Sequence, residues 1–389
     1  MEKENGGLLL SRRSLIAGAA VGVLAHATGR SLLAEQENSS ALVIREKEPQ
    51  NLESNFAALD SPLTSNDRFY IRSHFAVPAL AASSWSLSVE GAVSEPLKFS
   101  YDQVLALPAE SKVVTLECAG NGRVYLTPKT DGVQWQLGAV GTAEWTGVRL
   151  NSLLERAGVD PMAVDVVLEG ADSGEPSKPS RPGKPIAFAR SVPLEHARKG
   201  EILLAYKMNG QRLPESHGFP LRAIVPGWYG MASVKWLTRI VVLKQAYQGY
   251  FQTIDYAHWQ NRDGFPNRVP ITEIQVKSQI ARPTISESVA RGSKYRVFGA
   301  AWSGVAPIAK VEVSTDGGKS YQDAKLLGKP IEHAWRLWEY AWNVPQQAGK
   351  VTLMAKATDA KGNTQPLVRD KNRENYMINQ VLPVEVRIQ

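Results

Sequence analysis

One cysteine, Cys118, stands in a chain of 389 residues. No internal disulfide can form, so the fold must be held by its buried apolar core. Material for that core is present, since 43% of residues are hydrophobic, ten are tryptophan and only 21% are charged. At roughly 150 residues per domain, a chain of this length carries two domains. The 31 glycines and 23 prolines punctuate it often, which predicts strands and loops rather than a helix bundle.

The setting of Cys118 narrows its use. The β-branched, apolar run Val113–Cys118 predicts a strand, and it ends in Ala119, Gly120, Asn121 and Gly122. A side chain at a strand end projects beyond the sheet, and glycine lets the backbone approach a ligand. Taken alone, a free cysteine is more often a small buried hydrophobe. Arg123 lies close in sequence, and an electropositive setting favours the thiolate that ligates a metal.

The N-terminus reads as a leader. Arg12 and Arg13 precede a mildly apolar run from Leu15 to Leu24, and Ala25 and Ala27 offer small residues for cleavage. Paired arginines mark the twin-arginine route, which carries folded, cofactor-loaded proteins. The run is about half the ~20 residues of a membrane span, which leaves an uncleaved anchor as the alternative. With no further span, the mature protein is expected to be soluble and periplasmic. The net charge of +7 favours anionic ligands or an acidic partner. It does not specify nucleic acid, because no run of five or more Lys/Arg occurs.

Residues 1–27 therefore read as a signal peptide and 28–58 as a polar linker or arm. Residues 59–270 mix strands (near 85–90, 113–118, 164–169, 202–207 and 240–243) with short helices over Ser100–Leu107 and Leu150–Ala157. Without a regular βαβ rhythm this is α+β. Tyr247–Pro270 is aromatic and irregular, a crossing loop bordering a pocket. From 271 to 389 short strands with turn signals, such as Asp316-Gly317-Gly318, predict an immunoglobulin-like β-sandwich.

The segment Cys118–Arg123 resembles the metal-ligand loop of the sulfite oxidase family of molybdopterin-dependent oxidoreductases. Tyr70–Pro78, Gly138–Leu150, Ala205–Arg222 and Val225–Trp236 resemble that family's other blocks, in order along the chain. The resemblance implies a sulfite-oxidase-type molybdopterin-binding domain followed by a dimerisation-type sandwich. It implies a molybdenum–molybdopterin cofactor with Cys118 as the protein's sulfur ligand. Cofactor contacts are implied for Tyr70, Ile71, Arg72, Ser73, His74, Asp172, His217, Arg222, Ser233, Val234 and Lys235. The cofactor carries a phosphate, which suits Arg222 and Lys235, and a ring of donors and acceptors, which suits Asp172 and His217.

Arg72, Arg123 and Tyr247 are the implied catalytic residues at a small anionic substrate, with Tyr250 and Tyr256 as alternatives in the same loop. An aromatic packing loop is the other reading of that segment. The expected activity is oxidation of sulfite to sulfate by oxygen-atom transfer. No Cys-x-x-Cys-His occurs, so electrons are expected to leave to a separate periplasmic cytochrome c. The second domain implies a homodimer or heteromer. Two departures bear on substrate. The stretch Trp302–Lys310 lacks the arginine found there in sulfite-oxidising members, and Lys178–Pro193 is unusually basic and proline-rich. Reduction of a sulfoxide or another oxyanion is therefore the alternative, and a non-catalytic exported binding protein a further one.

Overall fold

A computed structural model describes residues 42–176 and 183–389. The leader, the first part of the arm and residues 177–182 of the basic, proline-rich segment lie outside the described residues.

The described chain is mostly β. Its α-helices are short: Tyr101–Leu105, Leu150–Ala157, Leu194–Arg198 and Tyr250–Thr253. The α+β expectation therefore gives way to two β-rich halves with helices as connectors. Each helix is stopped early by its sequence. Ser100 caps the first through a reciprocal box with Gln103, but Pro108 follows at once. Leu150–Ala157 buries Leu150, Leu153, Leu154 and Ala157 on one face and ends at Gly158, whose φ of 63° suits glycine.

Two five-stranded sheets build the N-terminal half. One holds Gln211–Arg212, Leu203–Met208, Val140–Arg149 and Ala109–Glu117 in that order, with Arg222–Ile224 also paired to Leu203–Met208. The other runs Leu97–Ser100, Ser86–Gly91, Leu237–Leu243, Asp165–Gly174, Ile186–Pro193. Ala109–Glu117 pairs antiparallel with Val140–Arg149 from Ala109 opposite Val148 to Glu117 opposite Val140. Cys118 continues that ladder by one bond, its N–H donating to the Ala139 carbonyl at 2.9 Å. The strand thus delivers Cys118 to the rim of a core containing Phe69, Val114, Leu116, Trp135 and Trp145. Aromatic side chains of this size bury roughly 150–250 Å² each, so the rim is anchored firmly.

The arm is more ordered than its polar sequence suggests. Val43–Glu46, Asn51–Glu53 and Ile71–Arg72 form a three-stranded sheet. Asn51 is fully buried, and its side-chain oxygen accepts from the Ser73 N–H at 3.1 Å and from Arg72 at 3.2 Å. Tyr247–Pro270 is likewise only partly loop. Ala257–Arg262 and Phe265–Pro270 form a hairpin about Asp263 and Gly264, both with positive φ as a type I′ turn requires.

In the C-terminal half a four-stranded sheet (Lys277–Arg282, Lys294–Trp302, Arg336–Asn343, Lys325–Leu326) and a five-stranded sheet centred on Val384–Ile388, Gly349–Asp359 and Ile308–Ser314 share one apolar core. The largest core of the chain crosses between the halves. It includes Trp302, Trp335, Leu337, Tyr376 and Met377 beside Trp228, Tyr229 and Tyr256. Among the described residues no helix is long and apolar enough to cross a membrane.

Candidate active site

A cavity opens beside Cys118. Its walls bring together residues from distant parts of the sequence: Tyr70, Arg72, Ser73, His74, Cys118, Asp172, His217, Arg222, Ser233, Val234 and Lys235. Of the residues implied as cofactor contacts, only Ile71 does not line it. Ile71 is buried and pairs with Leu52 instead, holding the segment that carries its neighbours.

One side of the cavity is cationic. The buried Arg222 donates to the carbonyls of His217 at 2.9 Å and Ser233 at 3.0 Å, and stacks over Trp145 at 4.9 Å. Burial lowers its pKa to about 10, still well above neutrality. Lys235 donates to Ser216 O at 2.8 Å and Ser73 Oγ at 3.1 Å. Burial and then Arg222 push its pKa well down, so an anion placed here would be needed to keep the ammonium comfortable. His217 is held near pH 3 by burial, with Lys235 and Arg222 adding to the effect, and its ring faces the Asn66 carbonyl at 3.2 Å. It is a neutral imidazole in the folded protein.

Asp172 is the carboxylate of this wall. Burial raises its pKa against the pull of Lys235 and Arg72. Its Oδ1 is buried with no hydrogen-bond partner in the protein, which is costly unless a donor arrives from outside. Two glycines pack closely against these groups, and Gly230 lines the cavity itself. A Cβ on Gly170 would lie 2.6 Å from Asp172 Oδ1 and 2.6 Å from the Lys235 carbonyl. One on Gly230 would meet the Tyr70 hydroxyl at 2.6 Å. An orphan acceptor, a cationic wall and a glycine-lined cradle fit a pterin with a phosphate tail. Cys118 adds the soft thiol donor that such a metal prefers.

Arg72, His74, Phe188 and Tyr256 also line the cavity. His74 stacks on Phe188 and its Nε2 lies 2.7 Å from the Tyr256 hydroxyl. Of the three tyrosines in the Tyr247–Pro270 segment, Tyr256 lines this cavity and Tyr247 does not. Tyr247 is half-buried elsewhere, with its N–H bonded to Asp165. The short helix Tyr250–Thr253 intervenes between the two and carries the chain around to Tyr256, which the sequence left as one choice among three. Burial raises the Tyr256 phenol above its ordinary value, so it is a donor at neutral pH.

Arg123 is the second departure. It is buried outside the cavity wall, donating to Val133 O at 2.7 Å and Asn375 O at 3.2 Å, with its guanidinium over Tyr376. The C-terminal half meets the Cys118 loop here. Met377 donates its N–H to Ala119 O at 2.8 Å, and Tyr376 donates to Asp255 at 2.7 Å. No sequence motif pointed to this segment. Its one visible signal was the dense polar run Arg369–Asn379 set between turns and a final strand.

The comparisons agree with this architecture. Residues 74–251 match the oxidoreductase molybdopterin binding domain family, and residues 268–388 match the Mo-co oxidoreductase dimerisation domain family. Mitochondrial sulfite oxidase of Rattus norvegicus is 36% identical over 353 residues, covering 84% of this chain and 61% of that protein. The chain thus spans about three fifths of the mammalian relative. Sulfite oxidase of Arabidopsis thaliana is 34% identical over 360 residues, covering 85% of this chain and 90% of that one. NADH nitrate reductase 1 of Phaseolus vulgaris is 32% identical, with 40% of its length covered. Among solved structures, the sulfane dehydrogenase SoxCD of Paracoccus pantotrophus superposes with a TM-score of 0.79 at 26% identity, covering 90% of this chain and 89% of that one. This chain belongs to the sulfite oxidase family of molybdopterin-dependent oxidoreductases.

Proposed function

We propose that the protein oxidises sulfite to sulfate in the periplasm and passes the electrons to a cytochrome c. The observation that carries this reading is the joining of Cys118, Arg72, His74 and Tyr256 to the cationic wall in one cavity. When bound, the molybdenum–molybdopterin group supplies two-electron redox chemistry and oxygen-atom transfer.

The residues divide the work. Cys118 would ligate the metal through its thiolate. Arg222 and Lys235 would hold the phosphate tail, Arg222 by its planar fork and Lys235 as a point charge. Asp172 Oδ1 would accept from ring N–H groups, and neutral His217 would pair with a ring donor or acceptor. Tyr70, Ser73 and the Ser233–Val234 backbone would close the sides. Arg72 would bind the substrate anion by charge-assisted hydrogen bonds. Tyr256 would donate to an anionic oxygen, and His74, already bonded to its hydroxyl, would take or return that proton. Phe188 and Phe251 shield this pair from water. Sulfite gains one oxygen from water, and two protons and two electrons leave. Export by the twin-arginine leader suits a protein folded around a cofactor, and the C-terminal half, read as an immunoglobulin-like sandwich, would form the dimer contact.

One observation favours a second reading. Arg123 lies outside the cavity wall, and Trp302–Lys310 carries no arginine, so of the arginines implied at the substrate only Arg72 lines the cavity. A sulfur substrate of lower charge than sulfite fits that balance. The related structure is that of a sulfane dehydrogenase. Steady-state turnover of sulfite by molybdenum-loaded enzyme, with cytochrome c as acceptor, separates the two. Saturable reduction of cytochrome c supports sulfite; none, from a fully loaded sample, favours the second reading.

A further inference from the structure

Glu117 is the residue before Cys118, and its side chain is buried at 2% exposure in the path between the two halves. Its partners come from both. Lys277, also 2% exposed, places Nζ 2.8 Å from Oε1. Trp302 Nε1 donates to Oε2 at 2.9 Å. Asn121 Nδ2 donates to Oε1 at 3.1 Å. Lys277 also donates to the Asn121 carbonyl at 3.1 Å, and Asn121 Oδ1 accepts from the Ala139 N–H at 3.2 Å. The Asn121 N–H in turn closes on the Cys118 carbonyl at 2.9 Å.

The loop that aims the thiol is thus tied at nearly every polar group. The C-terminal half supplies three of the ties: Lys277, Trp302 and Met377. Gly122 marks how close the contact is, since its Cβ would lie 3.3 Å from Ile378 and 3.9 Å from Lys277 Nζ. A buried ion pair is an expensive way to hold two halves together, and an apolar pair would serve stability as well. A fork of fixed donors on a carboxylate does something an apolar pair cannot: it fixes a direction.

We infer that Lys277 and Trp302 are positioning residues for the Cys118 loop, so that the C-terminal half is part of the metal site and not only an assembly surface. The inference rests on Cys118 being the metal ligand. Neither residue touches the thiol; they hold the carboxylate of the residue before it and the carbonyl of Asn121 after it, and so orient the ligand through its loop, as outer partners of metal ligands do.

The test uses holoenzyme carrying Lys277→Gln, Trp302→Phe, or Glu117→Gln together with Lys277→Gln. Two readouts need no substrate: the midpoint potential of the metal, followed by its paramagnetic signal, and the rate of molybdenum release. A third is the split between kcat and KM with sulfite. Lys277→Gln is expected to release molybdenum about tenfold faster, with a displaced midpoint and signal, and to lower kcat while KM stays within about twofold. The double variant removes the unpaired buried charge of Glu117, but an amide offers one acceptor oxygen where Trp302 and Asn121 both donate, so it cannot rebuild the fork and should keep both substrate-free readouts displaced. Should Lys277→Gln yield no folded protein, Trp302→Phe is read in its place, and it should displace the midpoint in the same sense as any partial loss of the network. Wild-type midpoint and retention in folded Lys277→Gln or Trp302→Phe, or a double variant restored to wild-type values, would overturn the inference. A sample that retains the midpoint shift but never oxidises sulfite would count against the substrate reading alone.

Discussion

His74 Nε2 lies 2.7 Å from the Tyr256 hydroxyl, in the cavity that Cys118 also lines. On the proposed function this pair would carry the proton chemistry, since Tyr256 lines the cavity and Tyr247 does not. Tyr256→Phe keeps the ring and its packing on Tyr376 but loses the donor. General acid–base groups contribute typically 10²–10⁴-fold, so kcat/KM should fall by about a hundredfold or more. Tyr247→Phe should stay within about twofold. Steady-state kinetics of both variants decide it, and the reverse order of effects would restore Tyr247.

Gly170→Ala tests the cradle. The added methyl meets the Asp172 carboxylate and the Lys235 carbonyl at 2.6 Å, and the carbonyl belongs to backbone that cannot swing aside. Molybdenum per chain, measured by elemental analysis, should fall several-fold, and the melting temperature should fall with it because the methyl also presses on backbone. Full loading would mean that the pterin lies elsewhere.

His217 sets a pH dependence. Its folded pKa is held at about 3, below the ordinary value near 6.5. A depressed pKa gives stability that is present above pH 6.5 and is lost as pH falls toward 3, because only the unfolded chain then binds the proton. The slope is at most about 1.4 kcal/mol per pH unit. Protein without cofactor should lose stability on acidification less steeply as His217→Gln than as wild type, in melting curves between pH 6.5 and 4. Equal slopes would show that His217 already binds its proton in the fold.

Arg190 holds the backbone behind Tyr256. It is fully buried and donates to the carbonyls of Phe251 at 2.5 Å and Ile271 at 2.8 Å. Arg190→Met fills the space but leaves both carbonyls unpaired, at about 1–3 kcal/mol each. A lowered melting temperature with a reduced kcat is expected. Loss of stability with unchanged turnover would confine Arg190 to the fold.

Much of this was legible in the chain. The strand that ends at Cys118, the helix Leu150–Ala157 and the tail of short strands follow from local periodicity, which local sequence encodes directly. The cofactor wall, spread from Tyr70 to Lys235, was legible only through resemblance, because no spacing rule brings residues so far apart to one cavity. Three features were not legible. Arg123 looks like a substrate group in sequence, yet carbonyls from Val133 and Asn375 capture it, and those partners are tertiary. Tyr256 could not be told from its two neighbours without the short helix that turns it inward. Lys277 opens the mixed strand Lys277–Arg282, where a charge reads as a solvated face, and its cross-half partners Glu117 and Asn121 explain its burial.

The account turns on the thiol of Cys118 bonding to molybdenum. X-ray absorption at the molybdenum edge, on wild-type and Cys118→Ser holoenzyme, counts sulfur neighbours directly. The prediction is one sulfur fewer in the variant, with turnover lost and the fold retained. The same sulfur count in both would contradict it.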